Sequence, residues 1–286
     1  MFGYFNLPMR DRHEFGEDVV FIGVPYDGGS RFTGSAAAPE HLRDLSRKVF
    51  IGTHRFLMNE TNGSLDGFYN HATGQRVLSR KTVVDYGNIA LASLRRAIQS
   101  RQDSCIPILI GGDHTITYYV LKNFQNSNPI SVFYIDAHED TGKRATKCKN
   151  SNVAAWIRSL RNVSDIHQVG LRGYSAKPVS RAVFDTICPS PATGFALSKS
   201  TSDRSCYVSI DLDVLEPAFF PSVSVPVVGG IEFRDLIGIL YTIFSSYKVL
   251  GVDIVEYVPQ KDRNGLCGLV VLDLILKILE MYDNRA

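Results

Sequence analysis

Short apolar runs alternate with helical patterns along most of the chain, and this alternation constrains the fold more than any other feature. Seven runs are rich in β-branched residues and nearly continuous in apolar content: 19–25, 82–87, 106–112, 130–138, 166–171, 206–213 and 248–256. Five intervening segments repeat apolar residues every three or four positions: 39–49, 90–101, 117–125, 153–161 and 232–247. Continuous apolar strands are typical of parallel sheets that helices cover on both faces. We therefore predict an α/β fold with right-handed crossovers.

Two segments between these elements, 51–80 and 188–205, are rich in Gly, Asn, Ser and Pro and are predicted to be loops. The chain has 286 residues, 44% hydrophobic and 21% charged, which suits one large domain or two small ones. Because no repeat or long polar linker divides it, we predict a single domain over residues 1–286.

Charge, apolar segments and cysteines bear on the partners and the compartment. The net charge of +2 gives no reason to expect nucleic acid or an anionic membrane as partner. The segment 266–282 contains Asp273 and Lys277 and is predicted to be a packed helix rather than a membrane span. The first residues lack a secretory-signal pattern. Five cysteines without a Cys-x-x-Cys pair indicate neither a disulfide framework nor a zinc knuckle, so the expected location is cytoplasmic.

Acidic residues and histidines cluster where three of the predicted strands end. The candidate ligands for a cation are His114, Asp136, His138, Asp140, Asp211 and Asp213. In "DAHED" the ligands recur with period two, so an extended segment would project them to one side. Because ligands bind outside the carboxyl ends of parallel strands, all six side chains are predicted to share one site.

Four carboxylates and two imidazoles in one pocket indicate bound cations, because crowded carboxylates repel one another and raise their own pKa values. One divalent ion would not use all six candidate ligands, whereas two ions about 3.5–4 Å apart, sharing bridging carboxylates, would use all of them. Oxygen and imidazole ligands without thiolate favour manganese, although zinc, iron, cobalt and nickel are also compatible. We predict two Mn²⁺ per subunit.

Six sequence blocks resemble those of the ureohydrolases, the family of arginases, agmatinases and formiminoglutamases. The blocks are "GVPYDGGS" (23–30), which is closest to the agmatinase branch, "GGDH" (111–114), "DAHED" (136–140), "QVGLRGY" (168–174), "SIDLDVLEP" (209–217) and "DIVEYVP" (253–259). The resemblance implies an arginase-like, three-layer αβα fold with a parallel sheet of about eight strands. It also implies a homo-oligomer, a trimer or hexamer, and hydrolysis of a guanidino or amidino carbon–nitrogen bond.

The resemblance also assigns roles to individual residues. One metal would lie on His114, Asp136, Asp140 and Asp211, and the second on Asp136, His138, Asp211 and Asp213. Asp140 would accept a hydrogen bond from the attacking hydroxide and then carry its proton. Glu256 would pair with the guanidinium or amidinium group of the substrate.

The loop after "DAHED" departs from the family pattern. Arginases and agmatinases carry a proton-relaying histidine there, whereas residues 141–156 contain none, and Asn152 takes the place. An amide cannot relay protons as imidazole does at neutral pH. Formiminoglutamases also lack this histidine, so release of formamide from formiminoglutamate is the alternative activity. A non-catalytic metal-binding scaffold or sensor is a third hypothesis, against which Glu256 argues.

The same loop is basic and predicts the class of substrate. Its cations would attract a substrate carboxylate and repel a free ammonium group, which disfavours agmatine. A guanidino or formimino acid is therefore expected, with the guanidino group favoured by the agmatinase-like block. Arg144 is the leading candidate for the carboxylate because its planar fork can hold two oxygens. The predicted substrate contacts are Glu256, Arg144, Asn150 and Asn152.

Overall fold

Ten strands arise from the apolar runs and the segments between them. The computed structural model describes residues 4–7, 9, 17–53, 68–78, 81–99, 104–124, 128–143, 146–175, 177–179, 182–188 and 204–284. The strands are β1 (Val19–Gly23), β2 (Phe68–Tyr69), β3 (Arg76–Val77), β4 (Val83–Asn88), β5 (Ile106–Ile110), β6 (Ile130–Ile135), β7 (Val163–Val169), β8 (Thr186–Cys188), β9 (Ser205–Asp211) and β10 (Lys248–Val255).

Eight of these strands form one sheet in the order β4-β1-β5-β10-β9-β6-β7-β8, and every pairing is parallel. The predicted parallel sheet of about eight strands is therefore confirmed. All seven predicted strands lie in it. The eighth, β8, was not predicted because a three-residue strand has too few positions to show a pattern.

Helices cover both faces of the sheet. They are α1 (Ala38–Thr53), α2 (Leu94–Gln99), α3 (Thr115–Asn123), α4 (Val153–Arg158), α5 (Phe233–Ser246) and α6 (Leu266–Asp283). Side chains of α1, α5 and α6 share one hydrophobic core with the sheet, and those of α2, α3 and α4 share the other. Neighbouring strand residues alternate between the cores, as Phe133 and Tyr134 do. Because each strand is buried on both faces, its sequence is continuously apolar.

The prediction that 51–80 is a loop is wrong in two places. Helix α1 continues to Thr53, and β2 pairs with β3 in an antiparallel hairpin. This hairpin depends on α6: Asn70 Nδ2 donates to the Glu280 carboxylate at 2.8 Å, and Leu78 N donates to Asp283 Oδ2 at 2.7 Å. Two-residue strands held by a helix about 200 residues away leave no local pattern. Residues 54–67 and most of 188–205 lie outside the described part of the chain.

The predicted packed helix over 266–282 is confirmed as α6, whose apolar side chains lie in the core. In the described part of the chain, none of the helices combines the length and the apolar character that crossing a membrane requires.

The sheet order determines where the site lies. The strands that precede the acidic and histidine motifs are β5, β10, β9 and β6, and these four are neighbours at the centre of the sheet. Because all four strands are parallel, their carboxyl ends lie side by side at one end of the sheet.

Candidate metal centre

Two glycines after β5 allow neighbouring segments to pack closely on the end of this strand. A Cβ atom on Gly112 would lie 2.0 Å from the backbone oxygen of Tyr26, and one on Gly111 would lie 2.1 Å from Ile116 Cδ1. The next residue, Asp113, donates its N–H to that same Tyr26 oxygen at 2.8 Å. The segment after β1 thus packs directly on the end of β5, and His114 enters the site at the start of α3.

His114 is completely buried, and its two ring nitrogens have different partners. Nδ1 lies 2.9 Å from Asp136 Oδ2 and 3.1 Å from Asp211 Oδ2. Nε2 lies 2.8 Å from Ser209 Oγ, and this hydroxyl donates to Asp253 Oδ1 at 2.7 Å. Since the Ser209 hydrogen is used on Asp253, Nε2 donates to Ser209. Burial lowers the pKa of His114, but the Asp136 and Asp211 carboxylates beside Nδ1 outweigh it and raise this pKa well above its usual range. Nδ1 is therefore the nitrogen that would bind a metal ion, after losing its proton.

The three buried aspartates share one orientation. In each, Oδ1 accepts a backbone N–H: His138 N to Asp136 at 2.6 Å, Asp213 N to Asp211 at 2.9 Å, and Ala137 N to Asp213 at 3.1 Å. Oδ2 of each carboxylate faces an imidazole. The backbone bonds fix the carboxylates so that their second oxygens converge on the centre.

The predicted extended segments are turns in the structure. Strand β6 ends at Ile135, and residues 212–214 form a short 3₁₀ helix. The period-two argument for convergence is therefore wrong. The ligands converge because Asp136 and Asp211 each bind the N–H two residues ahead, which turns the chain back over the carboxylate.

Two groups of three side chains have ligand atoms within 4.8 Å of one another: His114 with Asp136 and Asp211, and Asp136 with His138 and Asp213. His138 Nδ1 lies 2.8 Å from Asp213 Oδ2, and its side chain is 32% exposed. Asp136, one of the two predicted bridging ligands, belongs to both groups, whereas Asp211, the other, belongs to the first group alone. Asp140 is in neither group, and it is joined to the first through Tyr134, whose hydroxyl donates to Asp140 Oδ2 at 2.9 Å. These assignments as metal ligands stay predictions.

The electrostatics of the centre fit a bound cation. Burial raises the pKa of Asp211 and of Asp213, and repulsion from Asp136 adds to the rise in both. Burial lowers the pKa of His138, but Asp136 and Asp213 outweigh it and raise this pKa to about 12. Asp136 Oδ2 is buried, with His114 Nδ1 2.9 Å away. Imidazole and carboxylate donors without thiolate suit a divalent ion such as manganese.

Glu256 lies at the end of β10 beside this centre. Its Oε1 accepts His114 N at 3.2 Å and also accepts Asn150 Nδ2. Its Oε2 and Asn150 Oδ1 are both buried without a hydrogen-bond partner in the described part of the chain. Burial and the nearby Asp113 carboxylate raise the pKa of Glu256 to about 7.

Comparisons with known proteins agree with this arrangement. The sequence profile described as the Arginase family matches residues 17–280. The chain belongs to the arginase family. It is similar to the human mitochondrial guanidino acid hydrolase, with 28% identity over 303 residues, 96% of this chain and 80% of that protein. It is also similar to the mitochondrial agmatinase of Gallus gallus, with 27% identity over 303 residues, 96% of this chain and 83% of that protein.

Solved structures of the arginase family share the fold. Proclavaminate amidino hydrolase from Streptomyces clavuligerus superposes with a TM-score of 0.79 and 23% identity, covering 100% of this chain and 98% of that one. Formimidoylglutamase from Bacillus subtilis gives a TM-score of 0.75 and 18% identity, covering 96% and 90%. The predicted arginase-like fold is confirmed, and the chain is a hydrolase that acts on amidino carbon–nitrogen bonds.

The loop over residues 141–156, which contains no histidine, folds back on itself. Asn152 is buried, its Oδ1 accepts Lys149 N at 2.9 Å, and its Nδ2 donates to Lys143 O at 3.2 Å. Both the oxygen and the nitrogen of the Asn152 amide are therefore hydrogen-bonded within the loop. A contact between Asn152 and the substrate stays a prediction. Arg144 lies outside the described residues.

Sequence reasoning missed four residues that support this arginase-family centre. Tyr134 and Ser209 each precede a predicted ligand by two positions on a strand, which was a usable signal. Asp253 lies in the "DIVE" block, but its pairing with Ser209 required the tertiary structure. Arg172 donates to five backbone oxygens, those of Gly170, Asp213, Val214, Leu215 and Val227, and so holds the 212–215 turn.

Proposed function

We propose that this chain hydrolyses the guanidino group of a guanidino acid and releases urea, with two Mn²⁺ per subunit. One observation carries the proposal: Glu256 Oε2 and Asn150 Oδ1 are unpaired, buried hydrogen-bond acceptors beside a cluster of carboxylates. A buried acceptor without a donor costs about 1–3 kcal/mol. A ligand that brings several N–H donors and a positive charge removes that cost, and a guanidinium group has both properties.

The residues present fit two divalent ions. His114, Asp136, Asp140 and Asp211 would hold the first, and Asp136, His138, Asp211 and Asp213 the second. Two such ions, when bound, would make hydroxide available from water near neutral pH and offset the negative charge of the site. The ligand types favour manganese over a thiolate-bound zinc.

The protein's own residues would orient the guanidinium group and transfer a proton from water to the leaving nitrogen. Glu256 and Asn150 would hold the guanidinium, which fixes the position of its carbon. A carbon–oxygen bond forms between water and this carbon, and the bond from the carbon to the substituted nitrogen breaks. The first proton of the water goes to the leaving nitrogen so that this bond can break, and the second passes from protonated urea to the released amine. Asp140 would carry the first proton on Oδ1, because its Oδ2 already accepts the Tyr134 hydroxyl.

An anionic tail on the substrate is supported by the loop that carries Asn150. Lys143, Lys147 and Lys149 of this loop are exposed, and Arg144 lies among them in sequence. These cations favour a carboxylate over the free ammonium group of agmatine. The guanidino acid hydrolases of human and rat, with 28% and 26% identity, carry a matching substrate class in their names.

Formiminoglutamate is the second candidate, because the loop has Asn152 where a relay histidine would stand. A formimino group also brings N–H donors and a positive charge to Glu256. It would release formamide instead of urea, so the two activities differ in a product that can be measured directly.

The test compares kcat/KM for 4-guanidinobutyrate, arginine, agmatine and formiminoglutamate in Mn²⁺-loaded protein of known metal content. We expect urea release from a guanidino acid to be fastest. Arg144→Ala should lower kcat/KM for the acids about tenfold. The control is Lys248→Ala. Lys248 is an exposed cation at the amino-terminal end of β10, away from the site, so its removal should leave kcat/KM unchanged.

The double variant Asp211→Asn/Asp213→Asn should lose metal binding and activity together. Formamide as the dominant product would support the second candidate. Preference for agmatine, with the acids unaffected by Arg144→Ala, would refute carboxylate recognition. No product from any compound while two metals are bound would favour a scaffold or sensor.

A further inference from the structure

We propose that Tyr134 is the residue that positions Asp140 and His114 for the first metal ion. This inference rests on the proposed function only for its kinetic readout, because metal binding can be measured without a substrate. Tyr134 was not among the residues predicted from the sequence, and it lies on β6 two positions before Asp136.

The Tyr134 side chain contacts two predicted ligands of the same metal ion. Its ring stacks on the His114 imidazole, with centroids 4.4 Å apart and planes 5° from parallel. Its hydroxyl lies 3.1 Å from His114 Nδ1 and donates to Asp140 Oδ2 at 2.9 Å. Because this hydrogen is used on Asp140, the phenol oxygen does not donate to Nδ1, the atom that would bind the metal ion.

Asp140 needs such a support more than the other carboxylates do. In the described part of the chain, it has no counterpart to the backbone N–H bonds that fix Asp136, Asp211 and Asp213. Within the described residues, the Tyr134 hydroxyl is the hydrogen-bond donor that the structure records for the Asp140 carboxylate. The backbone of Asp140 also has a φ of +45°, a conformation that persists only where its surroundings hold it.

The hydroxyl is not needed for packing. Tyr134 is completely buried in the core formed with α2, α3 and α4, where apolar side chains surround it. Phenylalanine would fill almost the same volume and would bury no polar atom. A hydroxyl in this core therefore serves the two ligands, and its removal is expected to change metal binding without unfolding the protein.

The test is Tyr134→Phe, compared with Tyr4→Phe. Tyr4 is a matched control, since it is also completely buried and its hydroxyl donates to Pro39 O at 2.8 Å in the core on the other face of the sheet. Mn²⁺ titration of the metal-free proteins, followed by calorimetry, should resolve two binding events. In Tyr134→Phe one event should weaken about 10–100-fold, the usual effect of losing a residue that supports a ligand. The other event, and both events in Tyr4→Phe, should be unchanged.

Kinetics provide a readout that a purely structural role would not affect. At saturating Mn²⁺, kcat of Tyr134→Phe should fall because Asp140 is no longer held, while KM should stay near wild type because Glu256 and Asn150 are untouched. Wild-type affinity for both ions would overturn the proposal. So would a lower melting temperature of the metal-free variant with unchanged metal binding, which indicates a packing role. If no substrate is turned over, the titration still decides the role of Tyr134.

Discussion

Asp140 and Glu256, the two residues predicted to act on the substrate and its proton, both have backbone φ angles in the left-handed region, +45° and +67°. A non-glycine residue in this region costs roughly 1–2 kcal/mol, so the surrounding structure must hold it. At Glu256 this is visible: its N–H donates to Gly112 O at 2.9 Å, and its carboxylate accepts His114 N. The left-handed backbone therefore lowers stability at the two residues that are predicted to act on the substrate.

Glu256→Gln should stabilise the metal-free protein at pH 8 but not at pH 5. Burial raises the pKa of Glu256 from 4.5 to about 7, so between these values the folded state binds more protons than the unfolded state. Wild-type stability must then fall as pH rises through this window, by roughly 3 kcal/mol. Glutamine carries no charge and avoids this loss. The measurement is thermal unfolding of both proteins in the presence of a chelator.

An equal difference in melting temperature at both pH values would contradict the raised pKa. The Mn²⁺-loaded Glu256→Gln variant should bind a guanidino substrate far more weakly, because the amide no longer offers a negative charge to the guanidinium group. A more stable and less active variant would show that the carboxylate is kept for function.

At the scale of the elements, the junction between β5 and α3 places the first ligand. The segment after β1 packs against Gly112 so closely that no side chain fits there. Asp113 strengthens the same contact, because its Oδ2 accepts Gly29 N at 2.7 Å and Ser30 N at 3.0 Å. The position of His114 therefore depends on the contact between these two segments of the chain.

Gly112→Ala should destabilise the protein by about 1–3 kcal/mol and weaken metal binding, because the new methyl group forces this junction apart. Gly238→Ala is the control: Gly238 is exposed inside α5, and a Cβ atom there meets nothing within 4 Å. This second change should stabilise the protein by about 1 kcal/mol, since alanine has the higher helix propensity. Chemical denaturation measures both effects, and equal effects of the same sign would refute the steric argument.

At the scale of the whole molecule, contacts join the N-terminal and C-terminal parts of the chain. Strand β10, near the C-terminus, lies between β5 and β9, and α6 holds the hairpin of β2 and β3. A cut within 51–80 would part β1 from β4 and β5, its neighbours on both sides, and a cut within 188–205 would part β10 and β9 from β5 and β6. This arrangement supports the predicted single domain, which stays a prediction, as do the homo-oligomeric state and the cytoplasmic location.

Limited proteolysis should therefore cut within 51–80 or 188–205 and leave one resistant core. After a single cut, the fragments should separate on a denaturing gel but elute together at the native size on gel filtration. They stay together because strands from both fragments pair in the same sheet. Recovery of two separately stable, folded fragments would refute the single domain.

The sequence by itself determined the parallel sheet, its covering helices and the candidate ligands. These features are expressed locally: a strand buried on both faces must be continuously apolar, and ligands at strand ends follow directly on those runs. Strand β8 and the hairpin of β2 and β3 were not predicted. Strand β8 has three residues, too few to show a pattern, and the hairpin depends on contacts with α6, which is distant in the sequence.

Only the tertiary structure decided how the site is assembled. The order β5-β10-β9-β6 brings His114, Glu256, Asp211 and Asp136 together, although these residues are far apart in the chain. The hydrogen bond of His114 Nε2 depends on Ser209 and Asp253, and the support of Asp140 depends on the hydroxyl of Tyr134. These are contacts between side chains on different strands or turns. A local pattern cannot encode them, because their geometry exists only after the sheet has formed.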